Sequence, residues 1–141
     1  MGTSGRACMT GKINIPASIL ARPGKISQIE YSMIKTHSQV GYDLVKEIEF
    51  PWPVADIILQ HHERMDGSGY PKGLKGKNIC IEARILAVAD VVEAMSSHRP
   101  YRSALGMDKA LAEIKKGRGK LYDPRVVDAC VKLITKKKFK F

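Results

Sequence analysis

The run IEARILAVADVVEAMSS, residues 81–97, is apolar nearly all round when read at a helical period. A helix without a polar face has to be covered by other elements, so it reads as the central buried helix of a bundle. It is shorter than the roughly 20 apolar residues that span a membrane, and no other run approaches that length. Asp90 sits in its middle. A carboxylate there cannot stay ionised in an apolar core without a cation or several hydrogen-bond donors. Two readings fit equally: Asp90 pairs with an arginine such as Arg84 on a neighbouring turn, or it is a metal ligand.

The elements around this run are helical too. Ser27 followed by Glu30 has the pattern of a capping box, and Ile29, Met33 and His37 fall on one helical face. A second helix carries Val40, Leu44 and Ile48. FPWP then breaks the chain, and Pro53 suits the first turn of a third helix, in which Ile57 and Ile58 lead into His61 and His62. Residues 63–79 hold Gly67, Gly69, Gly73 and Gly76 without periodicity, and read as a loop. Another helix is expected over residues 107–116, closed by Gly117. The last begins at Asp123 as N-cap and Pro124 at the first helical position, with Val127, Cys130 and Ile134 on its apolar side. Strand signals are negligible, so the expected class is all-α.

At 141 residues the chain is about one domain, long enough to bury a core. The division expected is a small, polar lead-in over 1–10, a helical domain over 11–135 and a basic tail over 136–141. Cys8, Cys80 and Cys130 are odd in number and lack CxxC spacing, which argues against a disulfide framework or a zinc knuckle. The N-terminus has no apolar signal-peptide core, and a reducing cytoplasm is the simplest home. The 24 Lys and Arg against 14 Asp and Glu give +10. That balance favours anionic partners. Part of it lies in TKKKFKF, read as a solvated tail, and the rest is spread along the chain, which makes nucleic-acid recognition the weakest reading.

HHERMDGSGYPKG, residues 61–73, is the odd stretch. Neighbouring helical residues point about 100° apart, so His61 and His62 can face one ion only near a helix end, where they are expected to be. His37 shares the apolar face of its own helix. Each alone is ambiguous between core, surface and ligand. Together, three imidazoles and the Asp90 carboxylate form the nitrogen and oxygen set used by iron, manganese or zinc.

These residues carry a resemblance. HHERMDGSGYPKGLKG, ARILAVADVVEAMSSHRPYR and YDPRVV, with GKINIPASILARPGKIS and KTHSQVG before them, resemble the HD-GYP family, metal-dependent phosphodiesterases that open cyclic di-GMP. The similarity spans residues 11–134. It implies an HD-domain-like helical bundle, with His37, His61, His62 and Asp90 as metal ligands. It implies catalytic roles for Lys12 and Asp90, and contacts from Lys12, Arg99 and Arg102 to substrate phosphates. Tyr70 and Pro71 complete the signature. The resemblance implies that their loop lines the substrate site and faces partner domains such as diguanylate cyclases, although a rigid aromatic turn explains Tyr70 as well.

One departure matters. The family's His-Asp pair precedes the Gly-Lys of GKI, and here Cys8 and Met9 stand in those positions. The family's aspartate bridges two metals, a role methionine cannot take and a cysteine thiolate cannot replace. Either the chain begins late within a longer parent, or it is a degenerate member kept for binding. The expectation is a cyclic di-GMP phosphodiesterase domain with impaired or no activity, the alternative a pseudoenzyme acting as nucleotide sensor or interaction module. At most one metal per chain is expected. Should that ion be absent, Asp90 is expected to be protonated or to pair with a nearby Lys or Arg, with Lys12 or Arg84 the candidates. An uncovered face of the 81–97 helix, hidden by homo-oligomer formation, is expected as well.

Overall fold

Ser27 opens the first helix, α1 (Gln28–Lys35), as a reciprocal cap. Its hydroxyl accepts the Glu30 N–H at 3.2 Å, and the Glu30 carboxylate accepts the Ser27 N–H at 2.8 Å. The structure is a computed structural model that describes residues 27–97 and 104–137. The lead-in over 1–10, most of the tail, and Cys8, Met9, Lys12, Arg99 and Arg102 lie outside the described residues.

A turn residue, Thr36, separates α1 from α2 (His37–Val45). Of the stripes read along these two helices, His37 is buried and Val40 partly so, while the other positions stay at the surface. Ile29 and Met33 are exposed on α1, as are Leu44 on α2 and Ile48 beyond its end. What α2 buries is His37, Ser38 and Gly41, one turn apart on the side that packs against α3 (Val54–Gln60). Pro53 stands at the N-cap of α3, one residue before the expected first turn. The loop that follows contains a 3₁₀ turn, η1 (Gly76–Asn78), and an isolated bridge between Asp66 and Lys75. Among the described residues there is no strand, and the fold is all-α.

The long helix, α4 (Ile81–Ser96), meets α5 (Met107–Lys116) and α6 (Pro124–Lys137) around one apolar cluster. Val88 and Val92 pack there with Ala110, Ile114, Tyr122, Val126 and Val127. The ends of α5 and α6 are where capping chemistry places them: Gly117 closes α5, and the Asp123 carboxylate accepts the Arg125 N–H at 2.9 Å with Pro124 at the first helical position. Val127 is fully buried, with Cys130 and Ile134 beside it.

Helix α4 is central but open on one side, the uncovered face expected of it: Ile81 and Ile85 are 40% and 51% exposed, and with Leu133 they line an apolar groove of about 630 Å³ between α4 and α6. Helices α3, α5 and α6 cover the side bearing Ala83, Ala87, Val88 and Val92, and the 81, 85, 89 stripe turns away from it. Asp90 is accordingly half-buried rather than in the apolar core. Nor is Arg84 its partner. The Arg84 guanidinium donates to the Ile79 carbonyl at 2.6 and 2.8 Å and to the Asp123 carboxylate at 3.0 Å, tying the start of α4 to the start of α6. Burial would raise the Asp123 carboxyl, but the donors from Arg84 and Arg125 outweigh it and hold the pKa below the usual carboxylate range.

Candidate metal centre

His37 and His61 are held by the same local device. Each follows the end of a helix, α1 or α3, and each ring donates through Nδ1 to the carbonyl three residues back. His37 binds Ile34 O and His61 binds Ile58 O, both at 2.6 Å. A carbonyl can only accept, so each ring presents its Nδ1–H to the backbone, and in the neutral form Nε2 is then the acceptor or ligand atom. Those two Nε2 atoms face one another at 3.4 Å. Two lone pairs at that distance repel unless a proton or a cation lies between them. His62 brings a third Nε2 to 3.1 Å from that of His37. The three rings offer ligand atoms within 4.8 Å of one another, with His37 and His61 buried and His62 partly so. The donor set, its convergence and its carbonyl-oriented rings all suit a borderline divalent cation such as iron, manganese or zinc.

The glycine-rich loop is bound to this cluster through Glu63, a residue that sequence reasoning did not single out. Its carboxylate is almost wholly buried and accepts the N–H of Lys72 at 2.7 Å and of Leu74 at 2.9 Å. The only hint in the sequence is an acid wedged between ligand histidines and a glycine-rich loop. Tyr70, carried by that loop, lies nearly parallel to the His62 ring, with centroids 4.8 Å apart at 27°, and edge-on to His37 at 6.4 Å. The loop positions the aromatic over the histidines, as a substrate lip would require.

Of the residues expected at the site, the structure brings together His37, His61, His62 and Tyr70. It leaves Asp90 half-buried on α4, outside the group of mutually close ligand atoms. No helix among the described residues is long and apolar enough to cross a membrane.

Comparison with known proteins fits this geometry. The family model for the HD domain matches residues 3–126. The chain belongs to the HD-domain family, in its HD-GYP branch. It is 51% identical over 124 residues to the cyclic di-GMP phosphodiesterase response regulator RpfG of Xanthomonas campestris, covering 86% of this chain and 33% of that protein. A cyclic di-GMP phosphodiesterase of Thermotoga maritima is 45% identical over 125 residues, 87% of this chain and 34% of the relative. A 3'3'-cGAMP-specific phosphodiesterase of Vibrio cholerae is 33% identical over 124 residues, 88% of this chain and 27% of the relative. The chain thus spans about a third of the length of these curated relatives. A solved cyclic GMP-AMP-specific phosphodiesterase of V. cholerae shares the fold, with a TM-score of 0.64, 22% identity, and coverage of 92% of this chain and 34% of that one.

Proposed function

We propose that this HD-GYP chain supplies the histidine half of a metal-dependent cyclic di-GMP phosphodiesterase site, with hydrolysis weak or lost in the chain as it stands. The observation that carries this is the convergence of the His37, His61 and His62 Nε2 atoms on one point, with two of the rings locked by backbone carbonyls. A divalent cation bound there would supply Lewis acidity toward a phosphate oxygen. The protein's own contribution is orientation. Tyr70 walls the histidines on the loop side and Glu63 holds that loop. Asp90, on α4 and outside the group of mutually close ligand atoms, is assigned as a further carboxylate ligand. Lys12, Arg99 and Arg102 are assigned to the substrate phosphates, the arginines as guanidinium forks that match the oxygens and Lys12 as a point charge. The loop that carries Tyr70 is also assigned as the surface for diguanylate cyclase-type domains.

Cys8 and Met9 favour a second reading, in which the chain binds cyclic di-GMP without cleaving it. Neither residue bridges hard cations as a carboxylate does. Hydrolysis of cyclic di-GMP with added manganese or iron, alongside calorimetric binding, separates the two. Slow turnover supports the impaired enzyme, and binding without turnover, abolished by Arg99→Ala with Arg102→Ala, supports the sensor. Turnover equal to that of an intact family member would refute the impairment.

A further inference from the structure

Lys35, at the end of α1, is placed between two aromatic rings. Its ammonium lies 4.6 Å from the centroid of Tyr31 and 5.6 Å from that of Tyr70. Tyr70 is the ring that stacks on His62. Tyr31, Lys35, Tyr70 and His62 therefore form a row leading from solvent to the histidine cluster. Tyr31 and Lys35 are one turn apart on α1 and so share a face. Tyr31 is 47% exposed, so part of its ring is open to solvent.

This row has the chemistry of a nucleotide lip. A cation over a ring face keeps its N–H donors for another acceptor. No carboxylate pairs with Lys35 among the described residues. An exposed aromatic face beside a held ammonium offers stacking to a flat base and a charge-assisted donor to a phosphate within one binding motif. Lys35 also sits where a basic residue complements the helix C-terminus, a purely structural role that the test must separate.

We propose that Tyr31 and Lys35 form an outer subsite to the histidine cluster, Lys35 taking a phosphate of the cyclic dinucleotide and Tyr31 stacking one of its purine bases. The substrate class rests on the function proposed above; the subsite rests on the placement of the two residues. The test is calorimetric titration of the full chain with cyclic di-GMP, without and with manganese, for wild type, Tyr31→Ala, Tyr31→Phe and Lys35→Gln. Far-UV circular dichroism checks that each variant is folded. Tyr31→Ala and Lys35→Gln are each expected to weaken binding at least about fivefold, while Tyr31→Phe, which keeps the ring, binds like wild type. Wild-type affinity in both Tyr31→Ala and Lys35→Gln, with wild type binding normally, overturns the subsite and leaves the proposed function standing. An equal loss in Tyr31→Phe and Tyr31→Ala overturns the stacking role. Failure of wild type to bind cyclic di-GMP at all overturns the proposed function and the subsite with it.

Discussion

Replacing Glu63 by glutamine keeps the shape of a side chain that is almost wholly buried, and changes only what it can accept. In the native loop one carboxylate oxygen takes the Lys72 N–H at 2.7 Å and the other takes the Leu74 N–H at 2.9 Å. The amide offers one oxygen and one NH₂, so one backbone donor is left facing another donor. A hydrogen bond to a charged group contributes about 1.5–3 kcal/mol, and an unsatisfied buried N–H costs about 1–3 kcal/mol. Since these overlap, Glu63→Gln is expected to destabilise by about 2 kcal/mol, and Glu63→Ala, which orphans both donors, by about 3 kcal/mol or more. Urea unfolding followed by circular dichroism measures this directly. With a slope of about 1–3 kcal/mol per molar urea, the glutamine variant's midpoint should fall by roughly 1 M. A midpoint within about 0.2 M of wild type, at unchanged slope, would show that the loop is not held through this carboxylate.

Three further outcomes follow from other parts of the fold. Asp123→Ala should cost about 3 kcal/mol by leaving Arg84 buried without its partner. Because the Asp123 pKa is lowered on folding, its contribution is complete above the unfolded value near 3.9 and is lost as pH falls through the folded value. The stability gap between wild type and variant should therefore shrink below about pH 4, and a constant gap would contradict the pairing. Elemental analysis of chain purified without chelator should find at most one metal, removed by His61→Ala and increased by Cys8→His with Met9→Asp; two tight metals in the native chain would exclude a half-site. The groove between α4 and α6 is lined almost wholly by apolar side chains, Arg125 being its one charged residue, and an exposed apolar face of this kind is commonly covered by a second copy. Self-association is expected at about 0.1 mM and should be lost in Ile85→Glu with Leu133→Glu, whereas a wild-type monomer by light scattering would remove the idea.

What was legible in the sequence was set by local chemistry. Asp123, Pro124 and Gly117 mark helix ends through their own backbone preferences, and the ends of α5 and α6 fall where they point. The histidines were legible because a motif and a helix end fixed them together. That two helices, α1 and α2, follow one another was legible, but the position of the break was not: Ile29, Met33 and His37 keep helical spacing across Thr36, and His37 opens the second helix rather than closing the first. Which stripe of α4 is covered depends on where α3, α5 and α6 dock, which no residue within α4 encodes. Arg84 finds its acid 39 residues downstream, and Glu63 binds backbone donors 9 and 11 residues away, with no side-chain pattern to announce either.

Adjacent histidines on a regular helix could not both aim at one ion, and the structure shows how the conflict is resolved. His61 is the C-cap of α3 and reaches back to Ile58 O, so the helix orients it. His62 lies in the following turn, stacked against Tyr70, so the loop walls it in. The loop can lie this close only because residue 69 has no side chain. A Cβ there would come within 2.5 Å of the His62 carbonyl oxygen and collide with the backbone of Glu63 and Arg64. These are main-chain atoms and cannot rotate away. Gly69→Ala should therefore lift the loop and break the Tyr70 N–H bond to His62 O, now 3.3 Å, and with it the stack. His37 and His61, held by carbonyls on α1 and α3, should stay in place. Loss of an orienting outer partner typically weakens a metal site 10–100-fold, and an effect of about tenfold is expected here, with helix content unchanged. Competition for manganese or zinc against a chromophoric chelator measures it. Native affinity in Gly69→Ala would mean that His62 needs no help from the loop, and that the helix end alone aims all three rings.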